Sequence, residues 1–244
     1  MVTTVFANNF LDAQLAENEY SSSRQFMLTT GLQVDDVAWT VGRTQTVRYS
    51  SRYGQVKFEP SALNYTFEVY DGSWHTVLNI TTGIILYNMP VSEITYGNNY
   101  FERIFPSNDS FLLDGSAAPV THVFALEKLP MADGSYTRIA VAPSIRMLNS
   151  TVGETPYIKF YLPSLSNGMN LYRSQSITLT GNGITKVSRK DVTQVRLSVT
   201  FPSAAQGLTQ DFFNFTSPSP LILSSPSVVE LYVGEVTVPL GLHT

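Results

Sequence analysis

The chain has 244 residues, of which 43% are hydrophobic, 12% aromatic and only 14% charged, a balance that excludes a disordered chain and leaves Ser, Thr, Asn, Gln and Tyr to supply most of the polar surface. The formal net charge of −4 and pI of about 5.3 come with scattered Lys and Arg, so the footprint of phosphate-backbone neutralisation is missing and nucleic-acid binding is not expected. The absence of cysteine rules out disulfides, a thiolate nucleophile and thiolate metal sites, and stability must rest on packing.

From Asn8 to Trp39 there is no Pro, and Leu11, Ala13, Leu15, Ala16, Glu17 and Glu19 are good helix formers, so this stretch is predicted to be helical. Asn9 is the expected N-cap, with Asp12 in an approximate capping box. Leu11, Leu15, Phe26, Met27, Leu28 and Leu32 form an interrupted apolar stripe, while Asn18 to Gln25 is polar apart from Tyr20. Such a helix is expected to touch the body with its C-terminal half and to project at the other end. Residues 1–42 are therefore read as a helical stalk or tether, and 43–244 as a β domain.

Beyond Gly42 the pattern becomes short runs of Val, Ile, Tyr, Phe and Thr with turn residues every ten or so positions, the signature of antiparallel β structure. Val47 to Tyr53, Gly54 and Gln55 to Phe58 predict a first hairpin. Thr66 to Tyr70, Asp71-Gly72 and Trp74 to Ile80 predict the clearest one. Phe124 to Leu129 and Tyr136 to Val141 flank a third turn at Asp133-Gly134, and Gly181-Asn182-Gly183 after Ser176 to Thr180 predicts another. Later strands are expected at Tyr157 to Leu162, Thr193 to Phe201, Val228 to Val233 and Glu235 to Val238. Gln206 to Phe213 reads as a short helix or turn, with Phe212, Phe213 and Phe215 as core or interface residues. The fold class is mainly β: an N-terminal α-helix followed by an antiparallel β-sandwich, with a division into two lobes near Leu148 left open.

No stretch reaches the roughly 18 apolar residues of a transmembrane helix, and the segment from Met1 to Ala7 is too short for a signal peptide. The histidines, His75, His122 and His243, lack the helical spacing of metal-binding pairs and read as structural. Nucleophile-elbow, phosphate-loop and dinucleotide signatures are missing, and no cofactor is implied. Asp35 and Asp36 diverge by about 100° on a helix, which suits solvated surface better than a glycosidase pair. Glu127, Asp133 and Glu154 are carboxylates that only a fold could bring together, and a calcium site built from turn carboxylates is a further option without nameable ligands. Asn64, Asn79, Asn108, Asn149 and Asn214 each begin an Asn-x-Ser/Thr acceptor pattern; ordinary strand and turn polarity explains the same residues.

The run from Asn9 through Glu19 to Gln25-Phe26-Met27-Leu28 and Asp35-Asp36-Val37-Ala38-Trp39 resembles the start of archaeal pilin-like membrane proteins. Val47-Arg48-Tyr49, Arg52-Tyr53-Gly54, Leu63-Asn64-Tyr65-Thr66 and Tyr157 to Leu162 look like the β region of that group. The resemblance implies a β domain displayed outside the membrane from a processed transmembrane helix that would precede Val2, with Met1 marking a trimmed start.

The first functional expectation is thus a non-enzymatic extracellular surface or pilus-like structural protein, a glycoprotein if the acceptor sites are used. It would contact other surface or pilus subunits or cell-envelope components, and the membrane only through that missing N-terminal anchor. The alternative is a carbohydrate-binding or adhesin module in which Trp74, Tyr96 and Tyr100 stack on sugar faces of glycans; core packing and cross-strand pairing are the plainer roles for these aromatics. A β-fold hydrolase using dispersed carboxylates is a third.

Overall fold

The computed structural model describes residues 2–129, 131–169, 171–172, 175–216 and 219–242. Helix α1 (Val2–Ala38) leads into β1 (Thr44–Arg48), β2 (Gln55–Tyr70), β3 (Trp74–Pro90), β4 (Tyr100–Phe105), β5 (Leu112–Asp114), β6 (Thr121–Glu127) and β7 (Tyr136–Pro143). Then come β8 (Ile145–Val152), β9 (Thr155–Asn167), β10 (Leu171–Tyr172), β11 (Ser176–Thr200), α2 (Gln210–Phe213), β12 (Leu221–Val238) and β13 (Leu240–Leu242). The chain is mainly β with one long N-terminal helix, as the residue pattern along it leads one to expect. His243 lies outside the described residues.

All strands belong to one sheet, ordered β4-β6-β7-β3-β2-β11-β12-β9-β8-β5, with β1 and β13 on β11 and β10 on β13. The sheet is mixed, which corrects the antiparallel expectation: β9 runs parallel to β12, β5 to β8 and β10 to β13. It turns back on itself, because β9 packs across from β3 without pairing with it, and the Leu165 amide donates across that gap to Thr82 Oγ1 at 2.8 Å. Leu148 stands inside β8, paired with Lys159 of β9.

Alternation along the strands explains the layers. On β2, Leu63, Tyr65, Phe67 and Val69 are fully buried, while Asn64, Thr66, Glu68 and Tyr70 between them stay half-buried. Two apolar clusters result, and the long strands serve both. Val56 and Phe58 of β2, Leu165 of β9, Ile177 and Leu179 of β11, and Val236 and Val238 of β12 pack around α1. The other ends, including Phe67, Phe160, Val195 and Leu231, close a second core sealed by Phe212, Phe213 and Phe215. Those three phenylalanines are buried as expected.

Several local expectations change. The hairpin at Asp71-Gly72 forms with Tyr70 opposite Trp74, and the β6–β7 hairpin pairs Glu127 with Thr137. The hairpin predicted at Gly54 does not form: β1 pairs with β11 instead, because the chain between β1 and β2 is taken up in binding the helix. Gly181-Asn182-Gly183 is a bulge inside β11 rather than a turn. The two strands expected at 228–233 and 235–238 are one, β12. Asn9 lies inside α1 and is not its N-cap, since Asn costs a helix interior only a modest amount.

Candidate functional site

The face of α1 that meets the sheet is Ala16, Tyr20, Ser23, Met27, Thr30, Val34 and Val37, all buried and spaced in alternating steps of four and three residues, the period of a continuous packing seam. Small and polar residues let the backbone come close. Thr121 Oγ1 donates to the Gly31 carbonyl at 2.9 Å, and a Cβ on Gly31 would lie 2.7 Å from Val123 Cγ2. At the C-terminal end a Cβ on Gly181 would sit 2.4 Å from the Val37 carbonyl oxygen, and one on Gly234 equally close to that of Ala38. Glycine is required at both because backbone meets backbone.

Charged groups fix the helix at three levels. The Glu19 carboxylate accepts from the successive backbone N–H groups of Arg52, Tyr53 and Gly54 at 2.8, 3.0 and 2.9 Å and from the hydroxyls of Ser51 and Tyr87, each at 2.7 Å. Such a concave run of amides is an anion-binding nest. Burial works against the charge, but the Gly54 and Arg52 amides and then the two hydroxyls outweigh it, and the carboxyl is held below its ordinary range. One turn further on, Arg24 pairs with Glu102 of β4, which also accepts from Tyr100. Near the end, Asp35 accepts from Trp39 Nε1 at 2.7 Å and Arg146 Nη1 at 3.0 Å, and Asp36 pairs with Arg43. Asp35 is therefore a clamp rather than the solvated residue expected.

The N-terminal part of α1 is different. Residues 10–15 are exposed on every side, with Phe10, Leu11 and Leu15 at 60%, 56% and 47% of full exposure. From there to Leu32 the outward side carries Leu11, Gln14, Asn18, Ser21, Gln25 and Leu32, exposed and uncharged, and one turn further the exposed Asp36 is paired with Arg43. Of the apolar stripe read from the sequence, Phe26 and Met27 are buried, Leu28 is half-buried, and Leu11, Leu15 and Leu32 face solvent.

The predicted sugar-stacking aromatics do not converge. Tyr96 stacks on Tyr100 at 4.7 Å and touches Tyr20 of the helix at 5.5 Å, near the Pro90 end of β3. Trp74 begins that 17-residue strand, about 50 Å away along it. The acceptor asparagines lie at the surface, and four of them meet in pairs. Asn64 sits opposite Thr81 and Thr66 opposite Asn79, with Thr81 Oγ1 donating to Asn64 Oδ1 at 3.1 Å. The segments of Asn108 and Asn214 join through a bridge between Ser110 and Thr216. Asn149 is exposed on β8.

Each named carboxylate has a structural occupation or stands alone. Glu127 is buried and accepts from the Tyr96 amide at 2.8 Å and from the Thr95 and Thr137 hydroxyls. Asp133 holds Arg138 and Lys57; burial opposes its charge, yet the two cations keep its carboxyl low. Glu154 is exposed. A cleft of about 480 Å³ is lined by Lys57, Glu59, Asp133 and Arg138, but Lys57 bridges both carboxylates at 2.8 and 3.2 Å, leaving neither as a poised acid. His75 bonds to Asp71 and Ser73 in its hairpin. His122 is buried against Phe215, and its Nε2–H donates to the Ser110 carbonyl at 3.0 Å. Among the described residues no three His, Asp or Glu side chains are grouped to hold a metal ion, and no helix is long and apolar enough to cross a membrane.

Comparison with protein-family models, curated proteins and solved structures finds no match. The sequence signal for the helix seat was the spacing of Ala16, Tyr20, Ser23 and Met27, which hydrophobicity alone does not pick out. Nothing in the sequence marked Glu19, because its partners are main-chain amides more than thirty residues away.

Proposed function

We propose that the chain is a non-enzymatic extracellular surface or pilus-like structural protein, in which α1 is both stalk and assembly surface and the β body is displayed. The observation that carries this reading is the asymmetry of α1. From Ala16 onward it is locked to the body by a packed seam and three sets of charged contacts, while among residues 10–15 Asp12 reaches Arg52 and Tyr53 at 3.9 and 3.4 Å and Phe10, Leu11 and Leu15 stand in the open. An isolated helical overhang of this length is marginal in water, and exposed apolar side chains on it call for a partner. The uncharged outward side lets identical helices lie together without like-charge repulsion. The resemblance to archaeal pilin-like proteins points the same way and adds an anchor upstream of Val2.

The cysteine-free sequence makes a direct test available. A Val152→Cys variant, at an exposed position on β8, should react with a membrane-impermeant maleimide in intact cells that make the protein naturally. Labelling only after lysis would sink the proposal.

A further inference from the structure

Beyond the part of the sheet covered by α1, the outer side of β3, β2 and β11 continues as an unassigned surface. Register sets four rows across these strands: Thr81, Asn64, Thr200; Asn79, Thr66, Ser198; Thr76, Glu68, Arg196; and Trp74, Tyr70, Gln194. The last row runs on to Ile222 of β12, which is 82% exposed. Every member of the four rows is exposed or half-exposed.

Trp74 reaches this face through an irregularity. Phe67 pairs with Leu78, but the next residue, Glu68, pairs with Thr76, so Val77 is an inserted residue. Unbroken alternation from Asn79 would put Val77 and His75 on this side; the bulge puts Thr76 and Trp74 there instead, a recognised way of re-aiming a side chain. The Trp74 ring then lies 5.5 Å from that of Tyr70, with the Arg196 guanidinium carbon 4.1 Å from its centroid. Arg196 also reaches Glu68 at 3.4 Å, so the only two charges in the rows cancel.

We propose that this face binds a neutral polysaccharide, with Trp74 and Tyr70 against the C–H faces of the sugars and Gln194, Thr66, Asn79 and Ser198 exchanging hydrogen bonds with their hydroxyls. The chemistry favours that ligand. An aromatic pair offers apolar, polarisable surface with little entropy to lose, and hydroxyl and amide groups match a polymer of hydroxyls. Cancelled charge gives a nucleic acid or acidic polymer nothing to neutralise, and one protruding apolar residue, Ile222, is too little for the apolar centre of a protein interface. Four rows at about 7 Å along the strands make a platform roughly 20 Å long, enough for several sugar residues. This surface is separate from α1, so the proposal does not depend on how the helix assembles.

The test is native electrophoresis in gels containing a β-glucan, a mannan, a galactan or the acidic polymer polygalacturonate, using full chain from a bacterial host that leaves Asn64 and Asn79 unmodified. At least one neutral polymer should retard the protein, and Trp74→Ala should weaken that binding about tenfold, with Gln194→Ala weakening it less. If Trp74→Ala lowers the melting temperature, Gln194→Ala decides alone. No retardation by any neutral polymer, retardation by polygalacturonate only, or binding unchanged by the substitutions overturns the proposal.

Discussion

Glu19 shows how one carboxylate can couple a helix to a body: three backbone amides and two hydroxyls converge on it. Glu19→Ala strands those donors and should cost about 2 kcal/mol, read as a fall in melting temperature of about 5 °C. Because the folded-state pKa lies below the ordinary value, this stabilisation is present above about pH 4.3 and is lost as pH falls through the folded value. His122 acts in the adjacent, higher range and in the same direction. Burial, the leading cause, pushes its imidazole down to about 4, so the folded state refuses a proton that the unfolded chain accepts below about pH 6.5. Stability should therefore drain away as pH falls from about 6.5 to 4, by up to about 3 kcal/mol. Denaturant titrations across that window should show a steeper acid loss for the wild type than for His122→Gln; equal slopes would remove His122 as the cause.

At the scale of elements, close backbone approach fixes where the helix ends. Gly181→Ala forces a Cβ onto the Val37 carbonyl and should destabilise by about 2 kcal/mol or more, whereas Gly72→Ala, in an open hairpin turn where a Cβ meets nothing, suffers only the strain of its positive φ. Calorimetry of the two variants separates clash from turn strain. These elements were unequally legible. The helix, the Asp71-Gly72 hairpin and the buried Phe212, Phe213 and Phe215 could be read locally, because periodicity and turn residues lie within a few positions. The β1–β11 pairing joins residues 128 to 136 positions apart, and a loop spent on Glu19 looks like a hairpin turn until its partner is known. Gly181 carries the same ambiguity, since glycine serves a turn and a close approach equally well. The Val77 bulge was illegible for another reason: one inserted residue inverts which side Trp74 faces without altering strand propensity.

For the whole molecule, the long strands carry one core around the helix and a second beyond it, so the body holds α1 firmly while Phe10, Leu11 and Leu15 stay exposed. A seat confined to the C-terminal half of the helix was expected, but it begins at Ala16, and Glu19, Tyr20, Ser23 and Arg24 of the polar stretch meet the body; polarity hid that side, because Ser23 and Thr30 are buried alongside Met27. Of the carboxylates left open as candidates for chemistry, Asp133 holds Arg138 and Lys57, Glu127 accepts from an amide and two hydroxyls, and Glu154 is exposed on its own turn. The most direct measurement is cysteine cross-linking in native envelopes, with single cysteines at Gln14 or Asn18 on the outward side of α1 and at Val152 on the body. Cross-linked copies at Gln14→Cys and Asn18→Cys, with little at Val152→Cys, is the predicted result; monomer at both helix positions would contradict the helix as the assembly surface.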